Sequence, residues 1–296
     1  MAGETFPLGC GLLVVGHGTA DPIGEAETHR LAGLIAGACP GVAVELGFLE
    51  VIGPDVGEAL RRLRNRGVES VIAAPLLLFT AGHARRDLPE ALMTAAAGAS
   101  IPVMQSEALG NHPELVRLSR LRREQVRRML PPIAEADEAL VFVGRGASDP
   151  SAVAQLNGFL AATRACAGAH AHCHPGLPAA TCGMGRSPAA CEAPPLPAGP
   201  GRETVGFVAA ARPTIAEALD AIVDPTRPGP IPKRVLVQPH LLFHGRVEEQ
   251  VHAAVERART VHREVEWVVV PRLGAAPEIA RAVVARALET MGKVGG

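Results

Sequence analysis

Two histidines set beside glycines carry the most distinctive chemistry in this chain. His17 lies between Gly16 and Gly18 in VVGHGTADP, and His83 follows Gly82 in PLLLFTAGHARRDLP. Flanking glycines permit tight backbone geometry and leave an imidazole uncovered. Two imidazoles with open positions between them suit a borderline divalent ion such as Co²⁺, Ni²⁺, Zn²⁺ or Fe²⁺. A lone histidine after a strand is more often a hydrogen-bonded loop residue, so the reading depends on a fold that brings the pair together. His112, in LGNHPEL, reads as a helix-entry residue. The G-H-G triplet belongs to no G-x-G-x-x-G and has no Walker lysine, so no nucleotide site is expected.

The elements that must position these residues occur twice. VVGHGTADP returns as FVGRGASDP, with Arg145 where His17 stood; GFLEVIGPDVGEAL from Gly47 returns as GFVAAARPTIAEAL from Gly206. AAPLLLF ending at Phe79 matches VQPHLLF ending at Phe243, and the Leu109-Gly110 segment matches Leu273-Gly274. The offset between the halves is 128 residues at the first motif, 159 at the second and 164 at the last two, so the second half carries one large insertion and one small one. Internal repetition of this kind decides the architecture: two tandem similar domains, residues 1–134 and 135–296, each of ordinary domain size.

Within each half, short apolar runs alternate with helical periodicity. Strands are expected at 11–15, 43–49, 70–75 and 101–104 and near 139–143, 203–209, 234–238 and 265–270; in the first half, helices are expected at 24–38, 54–66, 86–97 and 112–129. Prolines at 54, 113, 213 and 277 fall early in helices, where the missing N–H is unpaired anyway. The fold class is therefore α/β, each half a parallel sheet flanked by helices with right-handed crossovers. Ligands in such sheets sit outside the carboxyl ends of the strands, which is where His17 and His83 fall and where a cleft between the halves would open. Arg145 cannot ligate a cation. It is either a guanidinium that grips an anionic group across the cleft or a drifted surface residue. His244, in QPHLLFHGR, aligns with Thr80 and is the better cleft candidate, whereas His240 points into the fold.

Composition limits the partners. The 29 basic residues nearly balance the 30 acidic ones, which argues against nucleic acid, and no apolar run approaches a membrane span. The N-terminus reads as a first strand and not as a signal peptide, so a cytoplasmic location is expected, with cysteines that are reduced thiols or metal ligands and not disulfides. Cys10 and Cys39 read as small core residues. The arginine-rich helix at 115–130 reads as a solvated amphipathic face. The insertion at about 166–202 holds Cys166, His170, His172, Cys173, His174, Cys182 and Cys191 among many Gly and Pro residues. Three readings of it stand side by side: a flexible linker, an accessory metal-loading arm, and an iron–sulfur site. Its cysteine spacings match no common zinc or ferredoxin pattern, which disfavours the cluster.

LLVVGHGTADP, the P-x-[ED]-A-L segment after strand two and APLLLFTAGHARRDLP together resemble the sirohydrochlorin cobaltochelatase family of class II chelatases, in the long form that fuses two chelatase domains. The resemblance spans both halves apart from the insertion. It implies insertion of a divalent metal, Co²⁺ favoured with Fe²⁺ or Ni²⁺ as alternatives, into sirohydrochlorin for cobalamin or siroheme synthesis. His17 and His83 would hold the ion and help to remove the pyrrole protons. Where the second half departs from that pattern, Arg145 is the candidate to grip a substrate carboxylate and His244 the candidate for a substrate contact in the cleft. The metal is then a substrate, and neither a nucleotide nor a redox cofactor is required. An alternative of another class is a non-catalytic metal-handling or tetrapyrrole-binding protein whose working part is the insertion. Fused halves permit an active monomer, and a homodimer is compatible with the sequence.

Overall fold

The computed structural model describes residues 5–79, 87–147, 149–165 and 202–292. The first half runs β1 (Cys10–Gly16), α1 (Pro22–Ala38), β2 (Ala43–Phe48), α2 (Val56–Asn65), β3 (Ser70–Pro75), α3 (Asp87–Ala99), β4 (Val103–Gln105) and α4 (Pro113–Met129). The second repeats it as β5 (Glu138–Gly144), α5 (Pro150–Ala165), β6 (Arg202–Phe207), α6 (Ile215–Val223), β7 (Arg234–Pro239), α7 (Arg246–Val261), β8 (Glu266–Val269) and α8 (Pro277–Gly292). Every strand expected from the sequence is present. All pairings are parallel, in the orders β2-β1-β3-β4 and β6-β5-β7-β8. Both sheets therefore reverse direction of growth next to their first strand, and the crevice between β1 and β3, or β5 and β7, is the topological switch point where such sheets take ligands.

The apolar residues sort into three cores. Leu13, Val15, Val71 and Ala73 of the first sheet meet α2 and α3, and Val141, Val143, Val235 and Val237 of the second meet α6 and α7. The opposite faces, through Leu12, Val14, Ile72, Leu140, Phe142 and Leu236, share one core with residues of α1, α4, α5 and α8. Four helices thus form a middle layer between two sheets. The last helix of each half crosses over: α8 packs on α1 and β3 of the first half, and α4 on α5 of the second.

The contacts between α4 and α8 are reciprocal, as across a two-fold axis. Arg117 pairs with Glu278 at 3.0 Å while its counterpart Arg281 pairs with Glu114 at 2.7 Å. Arg122 donates to the Leu273 carbonyl at 2.8 Å, and Arg286 to the Leu109 carbonyl at 3.3 Å. Each exposed ion pair contributes at most about 1 kcal/mol; their value is in fixing register. The reading of α4 as a solvated face is corrected accordingly: Arg123 is buried, Arg127 binds Glu138 and Ser119 accepts from Gln238 of β7. Sequence periodicity could not reveal this, because a helix that crosses to the other half meets polar partners absent from its own.

The proline expectations divide. Pro113 and Pro277 open α4 and α8. Pro54 and Pro213 precede their helices, each after a cis peptide bond. The helices start at Val56 under the Asp55 cap, which accepts from Glu58 N at 2.7 Å, and at Ile215 under a Thr214–Glu217 capping box.

Candidate functional site

β1 delivers His17 to the carboxyl edge of the first sheet, and the glycine after it explains how. Gly18 adopts φ +100°, and a Cβ there would lie 1.9 Å from the Glu50 carbonyl oxygen. Only glycine permits this approach, and it lets Glu50 N donate to the His17 carbonyl at 3.0 Å. The loop after β2 is thereby laid against the loop after β1. His17 Nδ1 comes 3.3 Å from Glu50 Oε1, and both side chains are more than half exposed. An imidazole nitrogen and a carboxylate oxygen at that spacing fit two adjacent positions on one ion, since bonds of about 2.0–2.2 Å separate neighbouring ligands by roughly 3.0–3.5 Å. Sequence reasoning missed Glu50. The repeat held its signal: Glu50 stands two residues after Phe48, where the other half has Ala209 two residues after Phe207.

The same backbone recurs in the second half with different side chains. Gly146 adopts φ +88°, its Cβ would lie 1.8 Å from the Ala209 carbonyl oxygen, and Ala209 N donates to the Arg145 carbonyl at 2.9 Å. Val51 and Ala210 share a positive φ at equivalent places. Arg145 is exposed. His83 lies outside the described residues, as do Cys166, His170, His172, Cys173, His174, Cys182 and Cys191 of the insertion. On the alignment of Phe79 with Phe243, the residue opposite His83 is Val247. The second half thus has Arg145, Ala209 and Val247 where the first has His17, Glu50 and His83.

His244 is placed at the seam between the halves. Its Nδ1 is 3.0 Å from Oδ1 of Asp21, the α1 cap, and its backbone N–H donates to Glu27 of α1 at 2.9 Å. The hydrogen bond to Asp21 raises the His244 pKa; the Gly24 amide and His244 lower that of Asp21. Arg272 braces the same seam between Glu27 and Glu248. Asp21 too was missed as a functional candidate, since a residue in a helix-cap position usually does nothing more. His240 is fully buried, as expected, just beyond β7. It is wedged against Phe79, Phe142 and Phe159, and among the described residues neither ring nitrogen has a hydrogen-bond partner. Burial lowers its pKa to about 3. His112 caps α4, accepting from Glu114 N at 3.2 Å.

A four-stranded parallel sheet built twice, a shared helical layer and an imidazole–carboxylate pair at a switch point define a two-lobed α/β protein of the chelatase type. The chain belongs to the CbiX family, whose model matches residues 11–126 and 199–290, leaving out most of the insertion. It is 29% identical over 146 residues to a sirohydrochlorin cobaltochelatase of Priestia megaterium, covering 49% of this chain and 47% of that protein. It is 26% identical over 151 residues to a sirohydrochlorin ferrochelatase of Bacillus subtilis, covering 50% and 55%. The aligned stretch is about half the length of each of these relatives. Among solved structures, SirB from Bacillus subtilis with Fe³⁺ superposes with a TM-score of 0.71 at 20% identity over 97% of both chains, a likeness of fold.

Proposed function

We propose that this protein inserts a divalent metal, cobalt in the first place, into sirohydrochlorin on a route to a cobalt or iron tetrapyrrole. The observation that carries the reading is the His17–Glu50 pair, two metal-donor types at 3.3 Å on the carboxyl edge of a CbiX-family sheet. His17, Glu50 and His83 form the proposed ligand set, with His83 assigned from its place in the sequence.

Metal insertion requires three things: a partly desolvated ion, a macrocycle held against it, and acceptors for the two pyrrole protons. Imidazole and carboxylate ligands hold a borderline ion without binding it irreversibly. As the ring nitrogens take over the ion, a ligand that lets go of the metal becomes a base beside the departing N–H. Imidazole suits both roles because it titrates near neutrality. Arg145 supplies an exposed guanidinium at the equivalent edge of the second sheet, suited to a carboxylate of an acidic tetrapyrrole. His244 is engaged by Asp21 at the seam. The ion is consumed as substrate, and a cytoplasmic monomer or homodimer is the proposed working form. Among the described residues no helix is long and apolar enough to cross a membrane.

The deciding experiment is absorbance-monitored insertion of Co²⁺, Fe²⁺ and Ni²⁺ into sirohydrochlorin. The expected result is turnover with Co²⁺ fastest, abolished by His17→Ala. Faster turnover with Fe²⁺ would assign the chain to siroheme synthesis. Turnover that survives both His17→Ala and Glu50→Ala would overturn the assignment of the site.

A further inference from the structure

A second group of donor residues lies at the seam, away from the His17–Glu50 pair. Asp21 comes from the start of α1, His244 from the loop after β7 and Glu249 from the first turns of α7; one ligand atom from each lies within 4.8 Å of the other two. We propose that these three residues form a second divalent-cation site, for a first-row ion such as Zn²⁺ or Co²⁺, which ties the first half of the chain to the second.

The donors are held in advance. Asp21 Oδ1 accepts from Gly24 N at 2.7 Å, which fixes the carboxylate at the helix start. The backbone of His244 is tied to Glu27, and the close fit at Gly24, where a Cβ would meet the His244 carbonyl oxygen at 2.6 Å, keeps loop and helix in contact. Asp21 and His244 are about three-quarters covered, so an ion there would shed much of its hydration. Bonds of about 2.0–2.2 Å place two ligands of one ion at most about 4.4 Å apart, so small side-chain rotations close the set. One imidazole with two carboxylates favours a borderline transition ion over Ca²⁺ or Mg²⁺, which prefer all-oxygen shells.

Charge points the same way. The His244 imidazole lies among the carboxylates of Asp21, Glu248 and Glu249, and the Arg272 guanidinium beside it is already held by Glu27 and Glu248. The opposite seam differs in the sequence itself: Asp149 matches Asp21, but Thr80 and Arg85 occupy the positions of His244 and Glu249. In sequence, therefore, the counterpart set keeps one acidic donor, Asp149, and has a cationic Arg85 in place of the anionic Glu249. The proposal is independent of the chelatase reading, because it concerns occupancy and not turnover.

The test is titration of the chelator-stripped full-length chain with Co²⁺, followed by calorimetry, for the wild type and for Glu249→Gln, His244→Ala and His17→Ala. Any binding by the Cys/His insertion is common to all four and cancels in the differences. The expected result is that Glu249→Gln and His244→Ala each weaken one binding event at least tenfold, an event that His17→Ala leaves intact. Glu249→Gln is isosteric and leaves the Asp21–His244 contact in place, so it decides the matter if His244→Ala fails to fold. Isotherms of Glu249→Gln that superimpose on the wild type would overturn the site. Loss of the same event in His17→Ala would overturn it as a separate site.

Discussion

In the loop after β1, Gly18 takes φ +100°, Glu50 N binds the His17 carbonyl and an imidazole faces a carboxylate. In the loop after β5, Gly146 takes φ +88° and Ala209 N binds the Arg145 carbonyl, but Arg145 and Ala209 stand in place of the imidazole and the carboxylate, and neither is a metal donor. The duplicated halves have kept the backbone and replaced the donors as a set. Loop geometry is tied to sheet, helix start and core, so its loss would cost the fold. A metal ligand on an exposed edge supports nothing but the ion. The contrast separates what each residue does for folding from what it does for chemistry.

The largest expected effect breaks the contrast on the chemical side. His17→Ala removes a proposed ligand and base together, and insertion should fall at least about a hundredfold, the scale of a single catalytic acid–base group. Its mirror image, Arg145→His with Ala209→Glu, rebuilds the pair on an unchanged backbone and should add a Co²⁺ binding event to the stripped protein. No added event in that double variant would mean that the second scaffold is not equivalent in detail.

On the folding side the halves should behave alike. Gly18→Ala and Gly146→Ala each drive a Cβ into a backbone oxygen at a positive φ. Each should destabilise by roughly 2–4 kcal/mol, read from urea unfolding. A loss confined to Gly18→Ala would show that the second loop has relaxed.

Legibility in the sequence follows the same division. Short continuous apolar runs located every strand, because a parallel sheet covered on both faces needs them. The repeat located His17 and Arg145, since Gly16-x-Gly18 and Gly144-x-Gly146 must keep their glycines. Glu50 and Asp21 escaped notice because each lies in a segment with an ordinary structural role, and only a loop-to-loop contact gives them a partner. The exchange of α4 and α8 was equally hidden: Arg117 pairs with Glu278, 161 residues on, and Glu114 with Arg281, 167 residues on, and a helix pattern does not say which sheet it covers.

A smaller effect concerns position 240, where the halves differ in core chemistry: Leu76 in the first, His240 in the second. An imidazole among three phenyl rings with unpaired nitrogens costs about 1–3 kcal/mol, so His240→Leu should stabilise the protein by that order at neutral pH. The folded pKa of about 3 lies below the ordinary 6.5. Between those values the unfolded chain takes up a proton that the folded chain refuses. The wild type therefore loses stability as pH falls through this window, by up to roughly 1.4 kcal/mol per pH unit from this group. His240→Leu should flatten that slope; an unchanged pH profile from 6.5 downward would show that the ring is hydrated.

The smallest expected effect tests whether the second half replaced its donors to a purpose. Arg145 is exposed on the loop that mirrors His17, so a carboxylate it grips stays partly hydrated and the bond contributes only about 1 kcal/mol. Arg145→Ala should therefore raise the KM for sirohydrochlorin about fivefold and leave kcat near the wild-type value, since a group that holds substrate and transition state equally changes binding alone. Arg145→Lys keeps the charge but loses the paired N–H geometry, and should fall between the two. If KM is unchanged in both variants, Arg145 is a surface residue left where a ligand once stood, and the two edges differ by loss alone. If Lys restores what Ala removes, charge and not the fork is what the second half contributes.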